Sequence, residues 1–535
     1  MKRTLSFVLS VLCLGTPGLV LAQAAEEDAE EPSVESAGAE EADEDEAVPT
    51  LTVKPKRQVA RIGMAADATL VGGQTAGVEG GGDGTWKFNF KGFMRAPMRL
   101  SHGTLGGETQ FHSPPVVPDA NFTNWQYTNN LPGPWVEMLF QYGNDKVKMT
   151  TALASYNITS GGYRELQAQL GIDRAFLTLN FPEALSELGG LSWNVGVFSD
   201  AYGSAGRYDA GMYQTFLFGK TRIAGETLRA NLFVGDDFTL LVDHGFGSKT
   251  DQQHWTDRAV AAAPGDSYQA YEPYPGPQQQ GSTLLHHAHL ALVYKDLLTT
   301  TLHYMDTWTR DQRATAGQKD GKIQIVGVDT KFSGGWMGEG YIGVSQINAA
   351  NAVAVSDSIE VLHSQGGWQL ANNYLGSDGN GKVTSVLFQY RFSLAAFMLR
   401  PQEWWGDGTD LVVHLFGMYN KVDSGKDVPL NGPGKQKLKF GADAIYTPLP
   451  VLGFGGRFDL VQPDLDNSRR SFAVLTPRIV LKSNYVTHEE VSIMYARYFN
   501  KSETMLPFPF GGQGAPYPAP GPDDGVFMVQ ATMWW

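Results

Sequence analysis

From about residue 86 to the end of the chain, apolar and polar residues alternate with period two in one segment after another. The last eleven residues, Gly525–Trp535, show the pattern most plainly. Phe527, Val529, Ala531, Met533 and Trp535 share one face, and Val526, Met528, Gln530, Thr532 and Trp534 share the other. Period two predicts a β-strand. The same pattern predicts strands at Trp86–Leu100, Trp135–Tyr142, Lys146–Tyr156, Ile172–Phe181, Leu191–Phe198, Thr227–Val234, Phe238–Phe246, Thr283–Lys295, Leu298–Trp308, Lys322–Phe332 and Met337–Ile347. Further strands are predicted at Asp357–His363, Val383–Leu394, Thr409–Tyr419, Lys435–Tyr446, Gly453–Val461, Ser471–Lys482 and His488–Phe499. Many of these reach about ten residues, the length a tilted strand needs to cross hydrocarbon. Strands of a soluble sandwich run nearer about five or six.

The connections are of two kinds. Tight turns fall at Gly143-Asn144-Asp145, Gly235-Asp236-Asp237, near Asp296 and at Gly334-Gly335. Long loops fall at Ser101–Pro134, Asn157–Gly171, Gly247–Ser282, Lys421–Gly434 and Lys501–Asp524. The terminal strand resembles the last strand of Gram-negative outer-membrane β-barrels of porin type, with an aromatic last residue and apolar residues at every second position before it. That resemblance extends in architecture over Trp86–Trp535, but only the final strand is motif-like. It implies an all-β fold: a transmembrane antiparallel β-barrel with short periplasmic turns, long extracellular loops and both ends periplasmic. An even strand number is then required. Nineteen segments read as strands, the weakest being Asp357–His363 with a candidate partner at Trp368–Tyr374. Eighteen strands are expected, with sixteen and twenty left open. By the same parity, Gly211–Thr221 is assigned to a long loop within Ser199–Gly225 that could fold into the bore, an ordinary strand being the alternative. The resemblance further implies that Phe527, Val529, Ala531, Met533 and Trp535 form the signal read by the barrel-assembly machinery.

The first 85 residues read differently. Lys2 and Arg3, the apolar run Leu5–Leu21 and Ala22-Gln23-Ala24 make residues 1–24 a secretory signal peptide. Cys13, the chain's one cysteine, leaves with it, so disulfides, cysteine-ligated metals and cysteine nucleophiles are excluded. Residues 25–49 carry twelve acids between Glu26 and Glu46 and no base, a composition that stays unfolded. Such a segment suits a solvated spacer, or a binder of cations or a basic partner. Residues 50–84 form a Gly-rich connector to the barrel of residues 85–535. Of the formal charge of −15, the part left without Lys2, Arg3 and the twelve acids is −5. No segment has the roughly 18 consecutive apolar residues of a membrane helix.

Alternation assigns one face of each strand to lipid and the other to the interior. The inward set holds Lys87, Lys91, Arg95, Arg99, Lys146, Lys148, Arg174, Lys295, Arg391, Lys437, Lys439, Arg457, Arg478 and Lys482, and fewer acids: Glu137, Asp410, Asp443 and Asp459. Like charges do not stay in a dry core, because desolvation costs several kcal/mol per ion. A wet bore with a positive field is therefore expected, lined by these bases and favouring anions. Pairing of the bases with acids, or their placement at the rims, would remove that preference. His287, His289 and His303 also face inward and could hold a metal or gate by protonation. Aromatic and proline-rich loops at Tyr268–Pro277, Gln402–Trp405 and Leu506–Pro522 suit sugar stacking or rigid surface loops equally.

No nucleophile–base–orienter set, nucleotide motif or zinc-protease motif is present, so no enzyme activity and no cofactor are expected. The reading is an outer-membrane porin, a passive channel for small hydrophilic solutes and ions. A non-conducting structural or adhesive barrel and an outer-membrane hydrolase are the alternatives. Implied partners are outer-membrane lipid and lipopolysaccharide, the assembly machinery, small solutes and, by analogy alone, two further copies in a homotrimer. Nothing suggests nucleic acid beyond the short basic cluster Lys54–Arg61.

Overall fold

The structure, a computed structural model, describes residues 86–102, 136–156, 169–201, 203, 220–248, 257–260, 270–273, 282–295, 297–310, 320–352, 355, 358–360, 364–365, 375, 379–398, 409–424, 435–462, 464–483, 485, 487–500 and 525–535. The signal, acidic and connector segments lie outside these residues, as do Gln402–Trp405, Leu506–Pro522, all of Tyr268–Pro277 but Ala270–Pro273, the side chain of Arg99 and most of Gly211–Thr221.

Eighteen strands form one antiparallel sheet that closes on itself. They are β1 Lys87–His102, β2 Val136–Gly143, β3 Val147–Tyr156, β4 Gln169–Phe181, β5 Gly189–Ala201, β6 Lys220–Val234, β7 Phe238–Ser248, β8 Ser282–Tyr294 and β9 Leu298–Arg310. The second half comprises β10 Lys322–Ser333, β11 Glu339–Ala350, β12 Gly381–Ser393, β13 Asp410–Asp423, β14 Gln436–Leu449, β15 Leu452–Gln462, β16 Phe472–Ser483, β17 His488–Asn500 and β18 Gly525–Trp534. Each strand pairs with its sequence neighbours. β1 meets β18 to complete the ring, from Phe93↔Trp534 to His102↔Gly525. Closure leaves no unpaired sheet edge, the condition for a sheet to cross a membrane.

The nineteenth predicted segment is not in the wall. Ser358–Glu360 pairs with Ser364–Gln365 in a separate small hairpin inside the β11–β12 connection. A run of seven residues was too weak a pattern to tell a loop hairpin from a short wall strand, and parity decides it.

The turn chemistry explains the alternation of connections. At the end where β1 begins and β18 finishes, seven of eight connections span only two to seven residues. Asn144 caps the β2–β3 turn, its Oδ1 accepting from the amides of Lys146 and Val147 at 2.9 Å each. Gly235 turns β6 into β7 with φ 66°, and Lys295 turns β8 into β9 with φ 49°. The eighth connection holds a single helical turn, Leu394–Phe397, whose N-cap Ser393 accepts from the Ala396 amide. At the opposite end all nine connections are longer, from nine to 33 residues.

The outward face is apolar. Phe88, Ile172 and Leu302 are 65%, 69% and 57% exposed, and Val326, Ile342, Phe440 and Ile479 are exposed beside them. Toward the short-turn end this surface becomes a ring of amphipathic aromatics. Trp86 packs on Tyr142 at 5.1 Å and Phe238 on Tyr294 at 5.0 Å, while Tyr390 donates from its hydroxyl to the Met337 carbonyl at 2.6 Å. Such a belt belongs at a membrane–water boundary. A 13-residue strand tilted by about 40° rises roughly 33 Å, enough to span the apolar band of an outer membrane. No helix among the described residues is long and apolar enough to cross a membrane.

Candidate functional site

The axis-facing side chains are where this barrel can act on a solute, and most are buried. They differ from the expected polar interior in carrying a large apolar share. Phe176, Phe198, Ile223, Leu285, Met305, Ile323, Ile325, Ile347, Leu387, Phe416, Met418 and Phe472 belong to one buried cluster on the inward side. The reason lies in the rule used to choose the face: alternation separates two rows, and it does not require the inward row to be polar throughout.

Polar groups are concentrated instead in two cross-strand rows. The first follows direct register partners from β4 to β14: Asn180, Ser192, Arg229, Asp243, His289, His303, Gly327, Ser345, Ser385, Asn420 and Lys437. Because the strands tilt, this row climbs from the short-turn end at Asn180 toward the long-loop end at Lys437. Neighbours along it are bonded. Ser192 donates to Asn180 at 2.9 Å, and Arg229 binds Asp243 Oδ2 through Nε at 2.8 Å and Nη2 at 2.6 Å. Ser385 donates to Asn420 Oδ1. His303 spans Gly327, with Nε2 2.9 Å from Ser345 Oγ and Nδ1 2.8 Å from Asp329 Oδ2. A Cβ at Gly327 would stand 2.3 Å from His303 Nε2, so only glycine lets the ring lie there.

The second row crosses β11 to β16 through Glu339, Arg391, His414, Asp443, Arg457 and Thr476. Arg457 binds Asp459 through Nε at 2.9 Å and Nη2 at 2.7 Å and lies over the Phe416 ring at 4.5 Å. Arg478 reaches Asp443 at 2.9 Å. On the other side of the wall Arg174 pairs with Glu137 and holds Asp173 at 3.2 Å. It crosses β3 where that strand presents Ala152 and Ala154, whose small side chains leave room for the guanidinium.

These contacts revise the expected charge pattern. The inward acids are not limited to Glu137, Asp410, Asp443 and Asp459, since Asp173, Asp200, Asp243 and Asp329 are buried or nearly buried among the bases. Arg174 and Arg457 are thus ion-paired within the wall, not bare charges facing water. Lys437 and Lys439 are buried on β14, Arg95 is buried on β1, and Lys91 and Lys148 are half-buried. Lys87 and Arg391 lie on inward rows but are exposed at the short-turn end. Lys146 and Lys295 are corrected: both sit in turns outside the wall rows. Lys295 is 3.5 Å from Asp237, and that carboxylate raises the ammonium's pKa. The hairpin sets His303 directly opposite His289, as the turn near Asp296 implies, though the rings face different partners. His287 and His289 face Asp200 and Asp243, while His303 turns away to Asp329 and Ser345. In β18, Met528, Gln530, Thr532 and Trp534 are buried, and Phe527, Val529, Ala531, Met533 and Trp535 take the other row.

A closed ring of strands, largely apolar outside and with its buried ion pairs on the inner side, is decisive for the class. The chain has the architecture of a porin-type outer-membrane barrel. No family model matches it, and no curated protein matches it in sequence. Solved structures do. The outer-membrane channel DcaP of Acinetobacter baumannii is similar at 14% identity and a TM-score of 0.41, over 84% of this chain and 97% of that one. OmpF of Salmonella typhi, solved with daunomycin, is similar at 12% identity and 0.38, over 84% and 97%. OccK5 of Pseudomonas aeruginosa is similar at 9% identity and 0.34, over 84% and 98%.

Proposed function

We propose that the barrel is a passive outer-membrane channel for small hydrophilic solutes. The closed ring of eighteen antiparallel strands with an apolar outer face carries this reading, because such a ring crosses a membrane with its backbone satisfied and its inner side turned from lipid. Bore width and fixed charge set what passes. No enzymatic step is part of the function.

A modest preference for anions accompanies it. Lys87, Lys91, Arg95 and Lys148 on β1 and β3, with Lys437 and Lys439 on β14, supply inward positive charge. The carboxylates paired with Arg174, Arg229, Arg457 and Arg478 keep that preference small. Single-channel recording in planar bilayers under a salt gradient tests both statements. Discrete conductance steps with a reversal potential toward that of the anion are expected; silent bilayers would overturn the pore. The buried apolar cluster on the inward side favours one rival, a non-conducting structural barrel, and silence in the same bilayers would be its signature.

By the family likeness, the protein assembles as a homotrimer, contacts lipopolysaccharide and presents β18 to the barrel-assembly machinery. Mass measurement of the detergent-extracted complex tests the first. The N-terminal sequence of the mature protein tests removal of residues 1–24.

A further inference from the structure

The outward face changes character on one side of the ring. Counted from the register partners Leu452 and Leu481 at the short-turn end, β15 and β16 turn out Phe458 and Leu475 at the sixth residue and Leu460 and Ala473 at the eighth. Counted in the same way on β6 to β9, from Val234, Phe238, Tyr294 and Leu298, those levels hold Glu226, His244, His286, Tyr304 and Asp306. Six residues at about 3.3 Å each, tilted by about 40°, rise roughly 15 Å, the middle of an apolar band about 25 Å tall. Ionisable side chains of β6 to β9 thus stand within the band, at levels where β15 and β16 are apolar.

These groups form a polar ribbon across five strands. The Trp193 indole donates to Glu226 Oε2 at 2.9 Å. The His244 and His286 rings lie 4.8 Å apart, and His286 meets Tyr304 edge to face at 5.7 Å. Gln324 on β10 donates to the Tyr304 hydroxyl at 3.2 Å, and Lys322 pairs with Asp306 at 3.0 Å. Glu226 and His244 are exposed, and with Phe181, Leu191, Trp193 and Leu228 they line a groove of 320 Å³ on the outer wall. Ionisable groups turned to hydrocarbon are costly and persist where protein or water covers them. The flanks of the ribbon are opposite in charge: Glu226 stands on β6, and the Lys322 side chain, 52% exposed, stands on β10.

We propose that the outward sector from β6 to β10 is the contact between copies of this chain, with the acidic flank at Trp193 and Glu226 of one copy meeting the basic flank at Lys322 of the next. The inference rests on the homotrimer reading above and assigns its surface. Four strands of the eighteen subtend roughly 80° of the ring, and neighbours around a three-fold axis touch a cylinder roughly 60° apart. The two flanks are therefore spaced as such an assembly requires, with His244 and His286 between them turned toward the axis. Rotation about the membrane normal keeps every residue at its own height, so the ribbon of one copy meets the ribbon of the next.

Leu228 on β6 and Val326 on β10 are both exposed on the outer face, at one level beside the two flanks. The full-length chain with Cys13→Ser, Leu228→Cys and Val326→Cys is oxidised in isolated outer membranes. The expected result is a ladder of covalent dimer and trimer that reductant collapses. Leu228→Cys combined with Phe458→Cys on β15 should give no ladder. Glu226→Lys sets like charges across the contact and should lower the temperature at which the oligomer dissociates on gels, while the barrel keeps its heat-modifiable mobility. Should the cysteine pair fail to fold, Glu226→Lys carries the test. Native mass measurement of the wild-type complex separates the two readings. Three copies with no ladder from Leu228 and Val326, or with a dissociation temperature that Glu226→Lys leaves unmoved, would overturn this surface and keep the trimer. A single copy would overturn both, and a complex with a different polypeptide would overturn the second copy as occupant.

Discussion

Trp535 closes the barrel on Gly92. The two residues exchange backbone hydrogen bonds of 2.9 and 3.0 Å, and a Cβ on Gly92 would stand 2.3 Å from the indole ring. The ring also packs beside Phe90 at 6.1 Å. The last residue of the alternating tail thus locks the β1–β18 seam through a partner that must be glycine for the ring to lie flat.

Gly92→Val should therefore weaken closure even though valine favours strands. Displacing the indole and overpacking the seam should cost about 1–3 kcal/mol. The measurement is denaturant unfolding followed by Trp fluorescence, with loss of the fast-migrating folded band on unheated gels. Unchanged stability would show that the ring has another position available.

Arg174 and Glu137 give a second test, because both are buried. Removing the Glu137 charge leaves the buried guanidinium with Asp173 as a remaining acid beside it, so Glu137→Gln should destabilise by up to about 3–5 kcal/mol. Adding Arg174→Met should recover much of that loss, since an apolar pair of similar size carries no desolvation penalty. The double-mutant cycle in reversible folding to vesicles gives the coupling directly. An additive cycle would mean that the ion pair does not form.

The wall was legible in the sequence because alternation is local: β8, β9 and β10 can each be read from a dozen residues. The ion pairs were not, because they join residues far apart in the chain that register alone brings together. Asp329 meets His303 across 26 positions, and Asp200 meets Arg229 across 29. Asp243 was hidden for another reason. Its inward row on β7 also holds Leu241 and Gly245, so no polar stripe marked it. Of the three histidines read as one group, register does set His303 directly opposite His289, but its ring bonds Asp329 and Ser345 on the next strands, and no spacing rule anticipates those partners.

Charge reversal tests the wall assignment. Lys87 and Lys91 lie on the inward row of β1, and Lys439 lies on that of β14. Replacing all three by Glu should move the reversal potential in a salt gradient toward cations, with the larger shift at low ionic strength, where screening is weakest. The same substitutions at outward or turn lysines, such as Lys295, should leave the potential where it was. A wall triple variant with an unmoved potential would place the conduction path elsewhere or nowhere.

Ser345, His303 and Asp329 invite comparison with a hydrolase triad, since serine, imidazole and carboxylate are linked at 2.9 and 2.8 Å. The geometry around them argues against catalysis. Acyl transfer needs free backbone or side-chain donors aimed at a developing oxyanion. Ser345 sits in mid-strand, paired with Gly327 on β10 and Ser385 on β12, so its surrounding amides belong to the sheet ladder. The trio is better understood as a satisfied buried network holding three strands in register. Ser345→Ala should then cost about 1 kcal/mol of stability. A fluorophosphonate probe should fail to label Ser345 in the folded protein. Covalent labelling at that serine, abolished by His303→Gln, would instead establish an activated nucleophile and reverse this assignment.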